Sequence, residues 1–365
     1  MYANRMNNDM AVSPIVATLV LIVVAVIGAV AVGTIMGTFS SDVSKQANAN
    51  GAGSASQTEI VVAGSTTIDP ITQLAAKAYT AKNPGVKITS QAMGSGAGVA
   101  AVGAGVADIG AASEKIQPKW TTAFPNIKPT LIGYGAIVVI TNAKKPAVTG
   151  ADGFLDKSDL ALAFNPLTPA ATALVNLSTS TTLVYRADGS GTADSFFGFL
   201  GIPSATSNVN KTSVGANGNA AVISTVGSTD YALGFADYGD SVANKLGGNS
   251  ITIVPVSNSD GKIYGANLNN QDAITTLATS TTQKNWADLR SEAKYIYQTS
   301  VLGYSGTEPG KYPTGLIRPL YYITNGVAPS TVQSFIDFMT NQPFDNDKKM
   351  NIFQESNNFN VADLG

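Results

Sequence analysis

The stretch that decides the fold class is TTLVYRADGSGTADSFFGFLG, Thr181 to Gly201. Its first part, TTLVYRA, is rich in β-branched and aromatic residues and reads as a strand; GTADSFFGFLG, Gly191 to Gly201, reads as a helix. Between them lie Asp188-Gly189-Ser190. A strand that runs straight into a helix leaves the first helical N–H groups unpaired and exposes the positive end of the helix dipole, which together make an anion site. Arg186, four residues before Ser190-Gly191-Thr192, can present a guanidinium fork to the same oxyanion, with Asp188 holding it from the other side. Taken alone, Arg186 and Asp188 read as a surface ion pair of little worth. The Ser-Gly-Thr run that follows favours the anion site.

Two further junctions outward from this one share its character: Gly64-Ser65-Thr66-Thr67 and Gly94-Ser95-Gly96-Ala97-Gly98. Glycine admits an oxyanion close to the backbone, and Ser and Thr add neutral donors. GSGAG by itself reads equally as a turn. Around the junctions the pattern alternates. EIVVAGS (Glu59 to Ser65) is a strand, and Asp69 with Pro70 caps a helix whose apolar face is Ile71, Leu74, Ala75, Ala78 and Tyr79. VKITSQA (Val86 to Ala92) is a strand, followed by a helical stretch from Val99 to Val106. ADIGAAS, LIGYGAIVVITN (Leu131 to Asn142), ALGFAD, SITIVPVS and PLYYITNG read as strands, and PSTVQSFIDFMTNQ as a final helix. Such alternation predicts an α/β protein with its sheets covered on both faces.

Composition narrows the function. At 365 residues the chain exceeds what one core usually carries, which predicts two lobes or domains. It has no His and no Cys, so Ser-His-Asp and thiol chemistry, imidazole metal sites and disulfides are all excluded. No P-loop or nucleophile elbow is present, so the reading is of a binder and not of an enzyme, with no cofactor and no metal. Lys+Arg 22 against Asp+Glu 24 gives a net charge of −2 and argues against nucleic acid as a partner. Only four arginines occur, Arg5, Arg186, Arg290 and Arg318, which makes each worth locating.

GSTTIDP, PGVKITSQAMGSGAGVAAVGAGVADIGAAS, YRADGSGT and YALGFADY occur in that order. From Ile60 to the C-terminus the chain resembles the phosphate-binding proteins of the Pst-type ABC phosphate importer, members of the periplasmic-binding-protein superfamily. RADGSGT is the most diagnostic of these motifs. The resemblance implies two α/β lobes joined by crossing hinge strands, with hinges near Ile140 and at Pro313 to Ile323. Lobe 1 is then 59–140 plus 314–365, and lobe 2 is 141–313. It implies inorganic phosphate as ligand and an ABC permease as partner. Carried over by position, Thr66 and Ser95 donate hydroxyls, Thr67 a backbone N–H, Arg186 a charged fork, and Ser190, Gly191 and Thr192 hydroxyls and N–H groups, with Asp188, Gly94 and Gly96 in support. Where some members close DFGASD with an aspartate, this chain has Ala112-Ser113 followed by Glu114. Ser113 is retained as a ligand, and sulfate, molybdate and arsenate stay open as alternative ligands.

No charged residue occurs from Ala11 to Phe39. At 1.5 Å per residue the run exceeds the roughly 30 Å core of a bilayer, and it is longer than a signal peptide's apolar stretch. Residues 1–39 are therefore expected to be a leader and transmembrane helix, and residues 40–58, rich in Gly, Ser, Ala and Asn, a flexible linker. Arg5 ahead of the run and Asp42 behind it orient the lobes to the extracytoplasmic side, giving a single-pass protein of the cell membrane. NNDMAVSPIVATLVLIVVAVIGAVAVG is similar to the N-terminus of archaeal type IV pilin-like proteins, which implies self-assembly into a surface filament. The leader lacks the processing site of a prepilin, and an uncleaved anchor is the other reading; both stay open. Two sequons, at Asn176 and Asn210, are compatible with glycosylation.

Overall fold

The computed structural model describes residues 57–150, 153–165, 176–202, 213–246, 251–257, 263–264, 281–342 and 352–364. The expected leader and membrane helix, the linker up to residue 56 and the Asn210 sequon lie outside these residues. Among the described residues no helix is long and apolar enough to cross a membrane.

β1 (Thr58–Gly64) buries Ile60 and Val62 and hands the chain to α1 (Ile68–Lys82). β2 (Val86–Ala92), α2 (Ser95–Gly103) and β3 (Ile109–Ala112) follow, with β2 and β3 parallel to β1 on its two sides. After α3 (Pro118–Ala123) comes β4 (Ile127–Asn142), sixteen residues long and fully buried from Ile132 onward. An uninterrupted apolar run of this kind marks a strand covered on both faces. β5 (Leu155–Asp156) and α4 (Lys157–Phe164) precede β6 (Thr182–Arg186), which delivers the chain into α5 (Gly191–Leu200). Next come β7 (Ser213–Ala216), α6 (Gly218–Ser228), β8 (Ala232–Asp237) and α7 (Tyr238–Leu246). β9 (Ile251–Val254) and β10 (Val256–Ser257) are one predicted strand broken at Pro255, which has no N–H to give to a ladder. β11 (Ile263–Tyr264) and the long α8 (Thr281–Ser300) lead to β12 (Ile317–Asn325) and α9 (Ser330–Thr340); α10 (Ile352–Glu355) and β13 (Phe359–Asn360) close the chain.

The strand order is β2-β1-β3-β12-β4-β8-β6-β7, with β13 and β9 also on β4; β11, β10 and β5 form a small second sheet. β4 belongs to both lobes. Ile127 to Ala136 pair antiparallel with β12, and Ile137 to Thr141 pair antiparallel with β8. The partner exchange falls between Ala136 and Ile137, and Ile140 pairs with Gly234 and Ile253. Each lobe has its own apolar cluster. The first gathers Ile60, Ile71, Tyr322, Phe335 and Phe353; the second packs Phe164, Phe196, Phe197 and Phe235, with Phe196 and Phe235 stacked at 4.1 Å.

Two predicted helix starts are corrected. α1 begins at Ile68 with Thr67 as its N-cap residue, because the N–H groups of Ile68 and Asp69 both close on the Ser65 carbonyl. Asp69 therefore lies inside the first turn, where it accepts from Ser90 Oγ at 2.6 Å and Gln73 Nε2 at 2.8 Å. α2 begins at Ser95, within GSGAG, and not at Val99.

Candidate functional site

Four helices start at one place between the lobes: α1 after Thr67, α2 after Gly94, α5 after Ser190 and α6 after Asn217. Each N-terminus carries an effective charge of roughly +0.5, so the four dipoles all favour negative charge at the junction. Local sequence aims them. In α5 the buried Phe196, Phe197 and Leu200 fix the far end in the second lobe's core, while Ser190 caps the near end by accepting from Ala193 N at 3.3 Å.

The lobes touch through backbone where glycine permits it. Gly96 N donates to the Gly189 carbonyl at 3.4 Å. A Cβ on Gly191 would lie 2.8 Å from both Ser95 Oγ and the Ser113 carbonyl, and one on Gly94, where φ is 91°, would lie 2.6 Å from the Gly189 carbonyl. Across the same seam Asn219 Nδ2 donates to Thr67 Oγ1 at 3.0 Å.

Two guanidinium groups are buried here, each 1% exposed. Arg186, at the end of β6, donates Nε and Nη2 to Asp188 at 2.7 and 2.5 Å, and its Nη1 reaches Asn219 Oδ1 at 2.8 Å and Thr192 Oγ1 at 3.4 Å. Arg318, on β12, donates Nη1 to Thr192 Oγ1 at 2.6 Å and Ser113 Oγ at 3.0 Å, and Nη2 to Thr67 Oγ1 at 2.6 Å and Asp237 Oδ2 at 2.8 Å. A buried cation is tolerable only when paired, and each arginine has its own carboxylate. Burial pushes Arg318 down and Asp237 up, and each pulls the other back toward the charged form. Asp240 is pushed up to about 8, by burial first and then by the Asp237 charge, and it accepts from Asn219 Nδ2 at 2.6 Å.

Hydroxyls complete the network. Ser65 Oγ donates to Ser113 Oγ at 2.8 Å, Ser113 N donates to Ser95 Oγ at 3.1 Å, and Thr67 N donates to Ser65 Oγ at 3.2 Å.

Of the residues predicted from sequence, Thr67, Ser95, Ser113, Arg186, Ser190, Gly191 and Thr192 are buried together at this junction. Thr66 is half-buried and faces Gly218 of the opposite lobe. Asp188 clamps Arg186, so two of that arginine's three nitrogens face the aspartate and one faces the Asn219 amide oxygen and the Thr192 hydroxyl. Gly94 and Gly96 back onto Gly189. The sequence alone does not single out Arg318, Asp237 or Asn219 for the site, whereas Ser65 belongs to the Gly64-Ser65-Thr66-Thr67 junction read as an anion site. Arg318 carries a faint signal as one of four arginines, inside a predicted hinge, and Asp237 lies in YALGFADY, a strand and a motif of the resemblance that assigns its aspartate no role. Two cavities flank the junction. One of about 410 Å³ includes Glu114, Gln117, Asp194, Phe199 and Arg318; one of about 420 Å³ includes Thr67, Lys77, Asp240 and Asn358. A junction with two paired arginines, neutral donors and four helix N-termini can hold a multi-oxygen anion on all sides.

A sequence model described as a PBP superfamily domain matches residues 49–343. No curated protein sequence matches the chain. Among solved structures, a Clostridium perfringens protein with bound phosphate, assigned as a phosphate ABC transporter substrate-binding protein, is 21% identical with a TM-score of 0.55, covering 83% of this chain and 99% of its own. PfluDING, a high-affinity periplasmic phosphate-binding protein bound with phosphate, is 14% identical with a TM-score of 0.53, covering 83% of this chain and 91% of its own. At such identities the likeness is one of fold. The chain belongs to the PBP superfamily, with its polar junction set between two α/β lobes that share β4.

Proposed function

We propose that the protein captures inorganic phosphate between its lobes and delivers it to an ABC permease, held at the extracytoplasmic face of the membrane by its N-terminal segment. The observation that carries this reading is the meeting of Arg186 and Arg318 on one hydroxyl oxygen, Thr192 Oγ1, at the shared start of four helices. Such a site supplies charge-assisted donors and fixed dipoles, and among the described residues no nucleophile–base pair, which suits holding an oxyanion. Two structures of like fold contain phosphate, which supports the same ligand class. The uncharged run from Ala11 to Phe39 supports attachment to a membrane, and its pilin-like pattern favours a second reading, a filament subunit that carries the binding lobes.

Calorimetry of the full chain in detergent, stripped of bound anion and titrated with phosphate and sulfate in parallel, tests the ligand. One phosphate per chain is expected. Absence of heat with excess phosphate defeats the proposal, and tighter sulfate binding reassigns the ligand.

A further inference from the structure

Anion capture leaves a second polar cluster in the cleft unused. Glu114 follows β3 in the first lobe, and Asp194 stands in the first turn of α5 in the second. Gln117 Nε2 donates to Asp194 Oδ2 at 2.9 Å and also to Glu114 Oε2, so one amide group joins carboxyl groups from opposite lobes. An amide nitrogen has two hydrogens, one for each acceptor. Glu114 is 3% exposed, and the shared Gln117 amide holds its carboxyl group beside that of Asp194. Two carboxylates held on one amide away from water repel each other and offer only acceptors, so one proton shared by the pair removes the repulsion and supplies a donor.

We propose that Glu114, Gln117 and Asp194 form an interlobe latch fastened by one shared proton, so that shutting the cleft takes up a proton and opening it returns one. The inference rests on the reading of the chain as a capture protein whose lobes part. The charged surroundings agree with it. Burial first, and Asp194 second, push the Glu114 carboxyl up to about 9, while Lys119 on α3 opposes weakly. Lys115 and Arg318 line the same cavity, and Arg318 already donates to Asp237 and three hydroxyls. That cavity, about 410 Å³, is lined by Glu114, Gln117 and Asp194 and has room for the water that proton exchange requires.

The sign follows from the raised value. With the lobes apart Glu114 meets water and returns to the usual carboxylate range, so between roughly pH 4.5 and 9 the shut form holds the proton more tightly. Closure is therefore favoured at the acid end of that window. It weakens as pH rises through it, by at most about tenfold per pH unit for one proton.

Proton uptake on phosphate binding to the full chain, from calorimetry at pH 7 in buffers of different ionisation enthalpy, tests the latch. Glu114→Gln keeps a donor toward Asp194 and the shape of the protonated acid, so it preserves the contact without the titration. The parent is expected to take up about one proton more than either Glu114→Gln or Asp194→Asn. Equal uptake in all three overturns the latch. If no phosphate binds, the distance between spin labels at Val106→Cys and Leu162→Cys, exposed sites on the two lobes of a chain with no native cysteine, gives the answer without ligand. Opening of the parent between pH 7 and 10, with Glu114→Gln unmoved, sustains the latch independently of the phosphate reading. Identical distances in parent and variant across that range overturn it.

Discussion

Thr192 Oγ1 is the oxygen on which the charges of both lobes converge, and Arg318 reaches it from a strand 126 residues away in sequence. Arg318 is also the partner of the 1%-exposed Asp237. Replacing Arg318 by methionine is therefore expected to destabilise the fold by about 3–5 kcal/mol, because it strands a buried carboxylate. Adding Asp237→Leu should recover most of the loss in urea unfolding; a double variant no more stable than the single one contradicts the pairing. Arg186→Ala should weaken phosphate binding more than Ser95→Ala or Ser190→Ala, each expected to cost about 1–3 kcal/mol, since charge-assisted bonds are roughly twice as strong as neutral ones. Parent-like affinity in Arg186→Ala would displace the site. The contrast between the two arginines explains what could be read beforehand. Arg186 stands beside its clamp Asp188 and its helix start within seven residues, so local chemistry announces it. Arg318 acquires meaning only when β12 slides between β3 and β4, and Ser113, Thr67 and Asp237 reach it from separate segments. Glu114 stood next to a predicted ligand, yet its partner Asp194 lies across the cleft.

Among the elements, α2 depends on bare backbone. A Cβ at Gly98 would lie 2.4 Å from the Ala63 carbonyl and 2.5 Å from Gly64 Cα, so the helix rests directly on β1. Gly98→Ala should push α2 off the sheet, cost about 1–3 kcal/mol in urea unfolding, and lower phosphate affinity by moving Ser95. Unchanged stability would mean the helix has room to spare. Strands were legible where their apolar runs end at glycine or at a helix start: β2 and β8 coincide with VKITSQA and ALGFAD. Helix starts were less so. A cap is decided by which carbonyl the first turn closes upon, and at α1 that is Ser65, which Asp69 and Pro70 do not reveal.

For the molecule as a whole, ligand bound only by the native form adds stability by mass action. Saturation at a hundredfold excess over Kd should add about 2.7 kcal/mol, seen as a rise in Tm with phosphate concentration. Alkaline carbonate extraction should leave the full chain in the membrane pellet, and deletion of Met1 to Phe39 should move it to the supernatant with phosphate binding intact; full-length protein in the supernatant would refute the tether, and recovery in sheared filaments would favour the pilin-like reading. The interior position of β12 in its sheet also sets a timetable for synthesis. A nascent chain has made every described strand that joins the second lobe's main sheet by Val254, but the first lobe must wait for Ile317–Asn325 to leave the ribosome before β3 and β4 gain the neighbour they share. Until then both present bare edges open to mispairing, and the part made first stays unfinished. Arrested chains ending at residue 310 should accordingly yield a protease-resistant fragment beginning near β4, with α1 and α2 digested; uniform protection from residue 57 onward would show that the first lobe needs no late strand.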